Sequence, residues 1–147
     1  MPKKQITSFS IDWYNCGLCN PLDKVHERIT IYLRKNLVRI EKLNGLNDLL
    51  SKREYIVHRE DMNNLFDVIH QMDSDNKWKK DYSVMVCDGS SWKMRLRYSD
   101  RTVKHMMGTV EKADAGSEIE KMIKNMLLRV DCTETPILFG CSCKNKI

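Results

Sequence analysis

One stretch limits the folding choices of this chain more than any other. In Trp92-Lys93-Met94-Arg95-Leu96-Arg97-Tyr98 every second residue is large and apolar or aromatic, and every residue between is a cation. Successive side chains on a strand point to opposite faces, so this segment reads as a β-strand with one face turned to a core and one to solvent. Antiparallel sheets accept that asymmetry, whereas parallel sheets bury both faces. The rest of the chain must therefore supply neighbouring strands and a layer for the apolar side.

Neighbours are legible. After Ser99, Asp100 and Arg101, a turn, the segment Thr102 to Met107 is a partner strand that Gly108 ends. Upstream, Ser83 to Cys87 is β-prone and Asp88-Gly89 is a turn signal. In the first half Ile29, Ile31 and Leu33 alternate with Thr30, Tyr32 and Arg34. Lys35 and Asn36 turn the chain, and Val38 and Ile40 resume the alternation to Asn44-Gly45, a β-hairpin. The spacing of Leu46, Leu49 and Leu50 predicts a short helical turn before a third strand, Tyr55 to His58.

Two segments switch to helical period. Met62, Leu65, Phe66, Ile69 and Met72 mark an amphipathic helix over 60–72, with Glu60 and Asp61 in the first turn where the helix dipole favours them. Ile119, Met122, Ile123, Met126, Leu127 and Val130 mark a second, for which Ser117 and Glu120 predict a capping box. Hairpin then helix, twice over, gives the expected fold: α+β, an antiparallel sheet of two ββα-like units with two amphipathic helices packed on one face. The expected layout is a single domain, with a cysteine-bearing N-terminal segment 1–25, a core 26–130 and an irregular cysteine-bearing tail 131–147.

At 147 residues the chain is long enough for one real core and too short for two large domains. Its 41% hydrophobic and 31% charged residues exclude disorder, and no apolar run reaches the roughly 18 residues of a membrane span. The N-terminus shows no secretion signal, so a cytoplasmic location is expected. In that compartment the six cysteines are expected as thiols, and their spacing is tested for metal before disulfides. Cys16-Gly17-Leu18-Cys19 has the spacing of half a zinc site, and Cys141-Ser142-Cys143 is a candidate second half, with His26 as a substitute ligand. The ordinary reading is reduced, unliganded cysteines, with zinc the sharper alternative and disulfides a third, so no cofactor is expected.

Ser8-Phe9-Ser10, Trp78-Lys79-Lys80-Asp81-Tyr82, Asp88-Gly89-Ser90-Ser91-Trp92, and Tyr98-x-Asp100 followed by Gly108 and a terminal helix recur in a similar order elsewhere. In these features the chain resembles a family of small α+β proteins of anaerobic Firmicutes and their mobile elements. The resemblance implies an α+β fold and brings no catalytic residue. Its cysteine-rich C-terminus departs from the commoner pattern.

Catalytic motifs are equally sparse in the residues themselves. Phosphate-binding, dinucleotide-binding, zinc-protease and serine-nucleophile signatures are all missing, and His26, His58, His70 and His105 are scattered. An enzyme using Cys87 as nucleophile is the least favoured reading. Charge is more informative. The net charge is +5, and residues 77–107 alone carry a cation excess of that size. Lys93, Arg95 and Arg97, with Lys104 expected outward on the next strand and Trp78, Lys79 and Lys80 on a nearby loop, form the candidate partner-binding surface. The ordinary alternative is the solvated face of a one-sided sheet. The expectation is a non-enzymatic binding protein that docks on a macromolecule, a protein first, such as an anti-CRISPR-like inhibitor of a host nuclease defence. A nucleic-acid-binding module using the basic face is the runner-up; no membrane partner is implied, and the oligomeric state is open.

Overall fold

Ile6–Asn15, which the sequence reading assigned to an N-terminal arm outside the core, is the middle strand of the fold. The computed structural model describes residues 5–15, 24–83, 90–109, 113–132 and 136–139. Its elements are β1 (Ile6–Asn15), β2 (Lys24–Tyr32), β3 (Leu37–Asn44), β4 (Leu49–Ile56), α1 (Arg59–Ser74), β5 (Asp81–Tyr82), β6 (Ser90–Tyr98), β7 (Val103–Gly108) and α2 (Gly116–Leu128). The strands form one seven-stranded sheet in the order β4-β3-β2-β1-β6-β7-β5. All pairs are antiparallel except β5 with β7. The α+β class therefore holds, and β1 joins the two hairpins that the alternating patterns predict.

One face of the sheet is apolar. On β1 it carries Phe9 and Ile11; on β2, Ile29 and Ile31; on β3, Val38 and Ile40; on β6, Trp92, Met94 and Leu96, all fully buried. The same core holds Met62, Leu65, Phe66 and Ile69 of α1 and Ile119, Ile123, Met126 and Leu127 of α2. The Phe9 and Phe66 rings meet at 5.5 Å between centroids. His70 of α1 accepts the amide of Ile6 at Nε2 (3.0 Å) while its Nδ1 faces the carbonyl of Phe66 (2.9 Å). That pair of partners requires a neutral ring with its proton on Nδ1. Arg129 pairs with Asp61 at 2.8 Å and links the end of α2 to the start of α1.

Both expected turns use left-handed residues, Asn36 (φ 52°) between β2 and β3 and Arg101 (φ 74°) between β6 and β7. Residues 46–50 differ from expectation. The Asn44 side chain accepts the amides of Leu46 and Asp48, each at 2.9 Å, and Asn47 is left-handed, so the leucine spacing spans a turn and the start of β4 instead of a helical turn. The capping box is also corrected: α2 begins at Gly116 with Ala115 as its cap, and no side-chain cap bond is made there. Glu120 instead accepts the amide of Phe139 at 3.2 Å.

That bond shows that the tail is not outside the fold. Glu27 on β2 accepts the amide of Ile137 at 2.9 Å, so two buried carboxylates hold residues 137–139 by their backbone. Phe139, fully buried, then meets Trp92 edge to face at 4.8 Å. Residues 84–87, most of the strand expected at Ser83 to Cys87, lie outside the described residues, as does the Asp88-Gly89 turn. None of the described helices is long and apolar enough to cross a membrane.

Candidate functional site

The side of β1 away from the core carries Ser8, Ser10, Asp12 and Tyr14. The register places Tyr32, Thr30, Arg28 and His26 of β2 directly opposite them on one side. Arg97, Arg95, Lys93 and Ser91 of β6 lie opposite on the other. Short side chains on the central strand between long cationic ones make a trough, with serines as floor and arginines as walls. The walls shield the floor so well that Ser8, Ser10 and Asp12 are all buried.

Asp12 organises the walls. Its Oδ1 accepts from Arg28 Nε at 2.6 Å and lies 2.7 Å from His26 Nε2; its Oδ2 lies 3.4 Å from an Arg95 terminal nitrogen. Burial acts to raise the Asp12 carboxyl, but the hydrogen bonds from His26 and Arg28, together with the Arg28 charge, outweigh it and hold the group below its ordinary value. Arg28 is correspondingly strengthened: burial opposes its charge, and the bond to Asp12 more than compensates. The Arg28 and Arg95 side chains remain about a third exposed, at 32% and 30%, so each guanidinium keeps donors for an incoming group.

At one end the trough opens into a concavity of about 490 Å³ lined by Asp12, Tyr14, Arg28, Lys80, Asp81, Lys93, Arg95 and His105, with Met106 and Met107, so cations outnumber the two carboxylates. Tyr14 stacks on His26 (4.2 Å between centroids), and Lys93 Nζ lies 5.6 Å from the same ring. Burial, then the Asp12 charge, raise the Tyr14 hydroxyl above its ordinary value, against the lowering effect of Arg28. A second concavity of about 450 Å³ at the other end, near Ser8, is lined by Tyr32, Arg34, Lys35 and Arg101. There Arg39 and Lys35 lie 5.2 and 5.5 Å from the Tyr32 ring.

The structure gathers some of the predicted partner-binding residues and disperses others. Lys93, Arg95 and Arg97 share the outer face as their alternation requires, and Lys80 reaches the same concavity. Lys104 does not join them. It lies opposite Leu96 on the core side, where its ammonium meets Asp73 Oδ1 at 2.9 Å; His105 takes the outward position, opposite Arg95. Trp78 is corrected too. It is only 6% exposed, and its indole N–H donates to the carbonyl of Asp114 at 2.8 Å, so it closes the core instead of anchoring a partner. Lys79 is exposed beside it, with Nζ 5.6 Å from the Tyr82 ring.

Arg28, which the alternation of the first hairpin puts on the basic face with Tyr32, Arg34 and Arg39, does stand there, whereas Asp12, Tyr14 and His105 have no such signal as a group. The alternation of Ser8, Ser10 and Asp12 with Phe9, Ile11 and Trp13 was the available signal for β1. The proposed zinc ligands Cys16, Cys19, Cys141 and Cys143, and the candidate nucleophile Cys87, lie outside the described residues. His26, the substitute ligand, is committed to Asp12. Among the described residues no group of three His, Cys, Asp or Glu side chains is placed to hold a metal ion. The trough sets guanidinium and ammonium donors around a buried carboxylate, an arrangement whose chemistry suits anionic groups. No family model matches the chain, and no curated protein matches it.

Proposed function

We propose that the protein is a non-enzymatic binding protein whose basic trough along β1 docks on an acidic surface of a protein partner. The observation that carries this reading is the Asp12 network. A buried carboxylate bonded to Arg28 and approached by Arg95 reduces the freedom those side chains lose on binding, which favours capture of carboxylates by shape as well as charge. Nucleic acid is the runner-up, and the engaged aromatic rings weigh against it. Single-strand binders stack bases on open aromatic faces. Here Tyr14 lies between His26 from β2 and Lys93 from β6, and Tyr32 is approached by two cations.

The same reading includes the finer fold: both helices cover the apolar face and leave the trough to solvent. Its support is that Phe9 meets Phe66 of α1, while Trp92, on the same face, meets Phe139, whose amide bonds Glu120 of α2. Two hairpin-plus-helix units flanking β1 belong to it as well. The size of the chain and its family resemblance extend the reading to an inhibitor of a nuclease-based host defence, which would act stoichiometrically. The test compares a labelled acidic peptide with a single-stranded oligonucleotide of equal charge by fluorescence anisotropy at low and moderate salt. Tighter binding of the peptide supports the protein-docking reading; tighter binding of the oligonucleotide, lost steeply with salt, replaces it with the second.

A further inference from the structure

Strand β4 ends the sheet on one side, so among the described residues it has a neighbouring strand on one side only. Where its free backbone groups point follows from the ladder it makes with β3. Val57 donates its amide to the carbonyl of Asn36 at 2.8 Å, and the register continues with Ile56 opposite Leu37 and Tyr55 opposite Val38. Antiparallel ladders alternate bonded and non-bonded pairs. Tyr55 and Arg53 therefore turn their N–H and C=O toward β3, while Ile56, Glu54 and Lys52 turn theirs outward. Such an edge is a template for another strand.

The sequence of this edge is complementary to itself. Set antiparallel to a second copy about a two-fold axis normal to the sheet at Arg53, Lys52 lies opposite Glu54 and Glu54 opposite Lys52. Leu50, the extra residue where the β3–β4 register slips, then falls opposite Ile56 at both ends. All four side chains are exposed, Leu50 by 49% and Ile56 by 64%. Moving the axis to Lys52 sets lysine against lysine, and moving it to Glu54 sets glutamate against glutamate. An axis between residues would oppose side chains from different faces of the pleat. In the Arg53 register the outward groups of Lys52 and Glu54 meet, giving four main-chain hydrogen bonds across the axis, and the charges of the two side chains then select this register over its neighbours. Arg39 Nε holds Glu54 Oε2 at 2.7 Å, which fixes the carboxylate beside the incoming lysine.

We propose that the protein forms a symmetric homodimer through its β4 edges in the register centred on Arg53, joining two seven-stranded sheets into one. An edge lysine ordinarily discourages pairing; in this register it selects the partner. With the axis normal to the sheet, the two basic troughs lie on the same side of the joined sheet. The dimer does not depend on what the trough binds.

Sedimentation equilibrium of the full chain tests this. The expected results are a dimer for the wild-type protein, a monomer for Glu54→Lys, which opposes lysine to lysine, and a dimer again when Lys52→Glu is added to it. Equal amounts of the Lys52→Glu and Glu54→Lys single variants should form a mixed dimer. Arg53→Thr, which removes the like-charged pair at the axis, should tighten the dimer. Circular dichroism melting identifies any variant that fails to fold, and Ile56→Asp, at an exposed position, then serves in its place. A wild-type monomer throughout the accessible concentration range overturns the proposal. So does a dimer whose mass neither Glu54→Lys nor Ile56→Asp changes.

Discussion

Gly108 lies directly opposite Trp92 on neighbouring antiparallel strands, and the indole fills the space a side chain at Gly108 would need: a Cβ there would stand 2.6 Å from the ring. Trp92 is fully buried, between Gly108, Tyr82 and Phe139. The ring cannot yield without disturbing the tail. Gly108→Ala should therefore destabilise the fold by about 1–3 kcal/mol, the usual cost of overpacking. A drop in the urea midpoint at unchanged slope checks it; an unchanged midpoint would show that the ring moves freely.

The tail makes a second prediction. Phe139→Ala removes a fully buried ring and should cost about 3–5 kcal/mol, as in other cores. An irregular tail outside the fold would give no measurable effect. Glu27→Ala removes the acceptor for the Ile137 amide and should release the tail to limited proteolysis. Glu27→Gln, which keeps an acceptor oxygen, should protect it again.

Asp12 sets the acid limit of the trough. Its folded carboxyl lies below the ordinary value of 3.8, so the deprotonated form contributes stability that is present above about pH 4 and lost as pH falls through the folded value. Asp12→Asn should flatten that limb of the stability profile. At neutral pH, Asp12→Ala leaves Arg28 and Arg95 without their carboxylate. The cost should be about 2 kcal/mol, below the 3–5 of a fully buried pair because both guanidiniums are partly in water. An acid limb identical in the Asn variant would contradict the assignment.

At the far end of α1, Asp73 accepts from the Tyr98 hydroxyl at 2.8 Å and from Lys104 at 2.9 Å, tying the helix to the β6–β7 hairpin. Burial, then the bond to Asp73, push the Tyr98 hydroxyl well above its ordinary value of 10.0. A group raised on folding contributes stability that is complete below its unfolded value and lost as pH rises toward the folded one. Wild-type stability should thus fall above about pH 10, and Tyr98→Phe should remove that part of the alkaline loss. At neutral pH the variant should cost about 1 kcal/mol, the net worth of one hydrogen bond.

What the sequence revealed and concealed follows from the range of the interactions. Local periods placed β2, β3, β6, β7 and both helices, because alternation and the helical stripe are set by neighbours within a few residues. The central position of β1 was hidden. Its pairing of Phe9 with Leu96 spans most of the chain, and no local pattern states which strands become neighbours. Lys104 was misplaced for a related reason: which of Lys104 and His105 faces outward depends on the register with β6, and a shift of one residue exchanges them. Nothing near Asp12 in sequence marks it as buried, since the groups that close over it, Arg28 and His26 of β2 and Arg95 of β6, come from two other strands. Trp78 reads as a surface anchor among three lysines, and the partner its buried indole finds, the carbonyl of Asp114, is distant in sequence.

The most direct test of the central claim is the affinity of a labelled acidic peptide for the wild-type protein and for an Arg95→Ala/Arg97→Ala variant, measured by fluorescence anisotropy at constant salt. Both side chains stand on the outer face, and neither contributes to the apolar core. The variant should stay folded and bind at least about tenfold more weakly, a loss of about 1.4 kcal/mol. Equal affinity of the two proteins for the peptide would contradict the account and return the trough to an ordinary solvated sheet face.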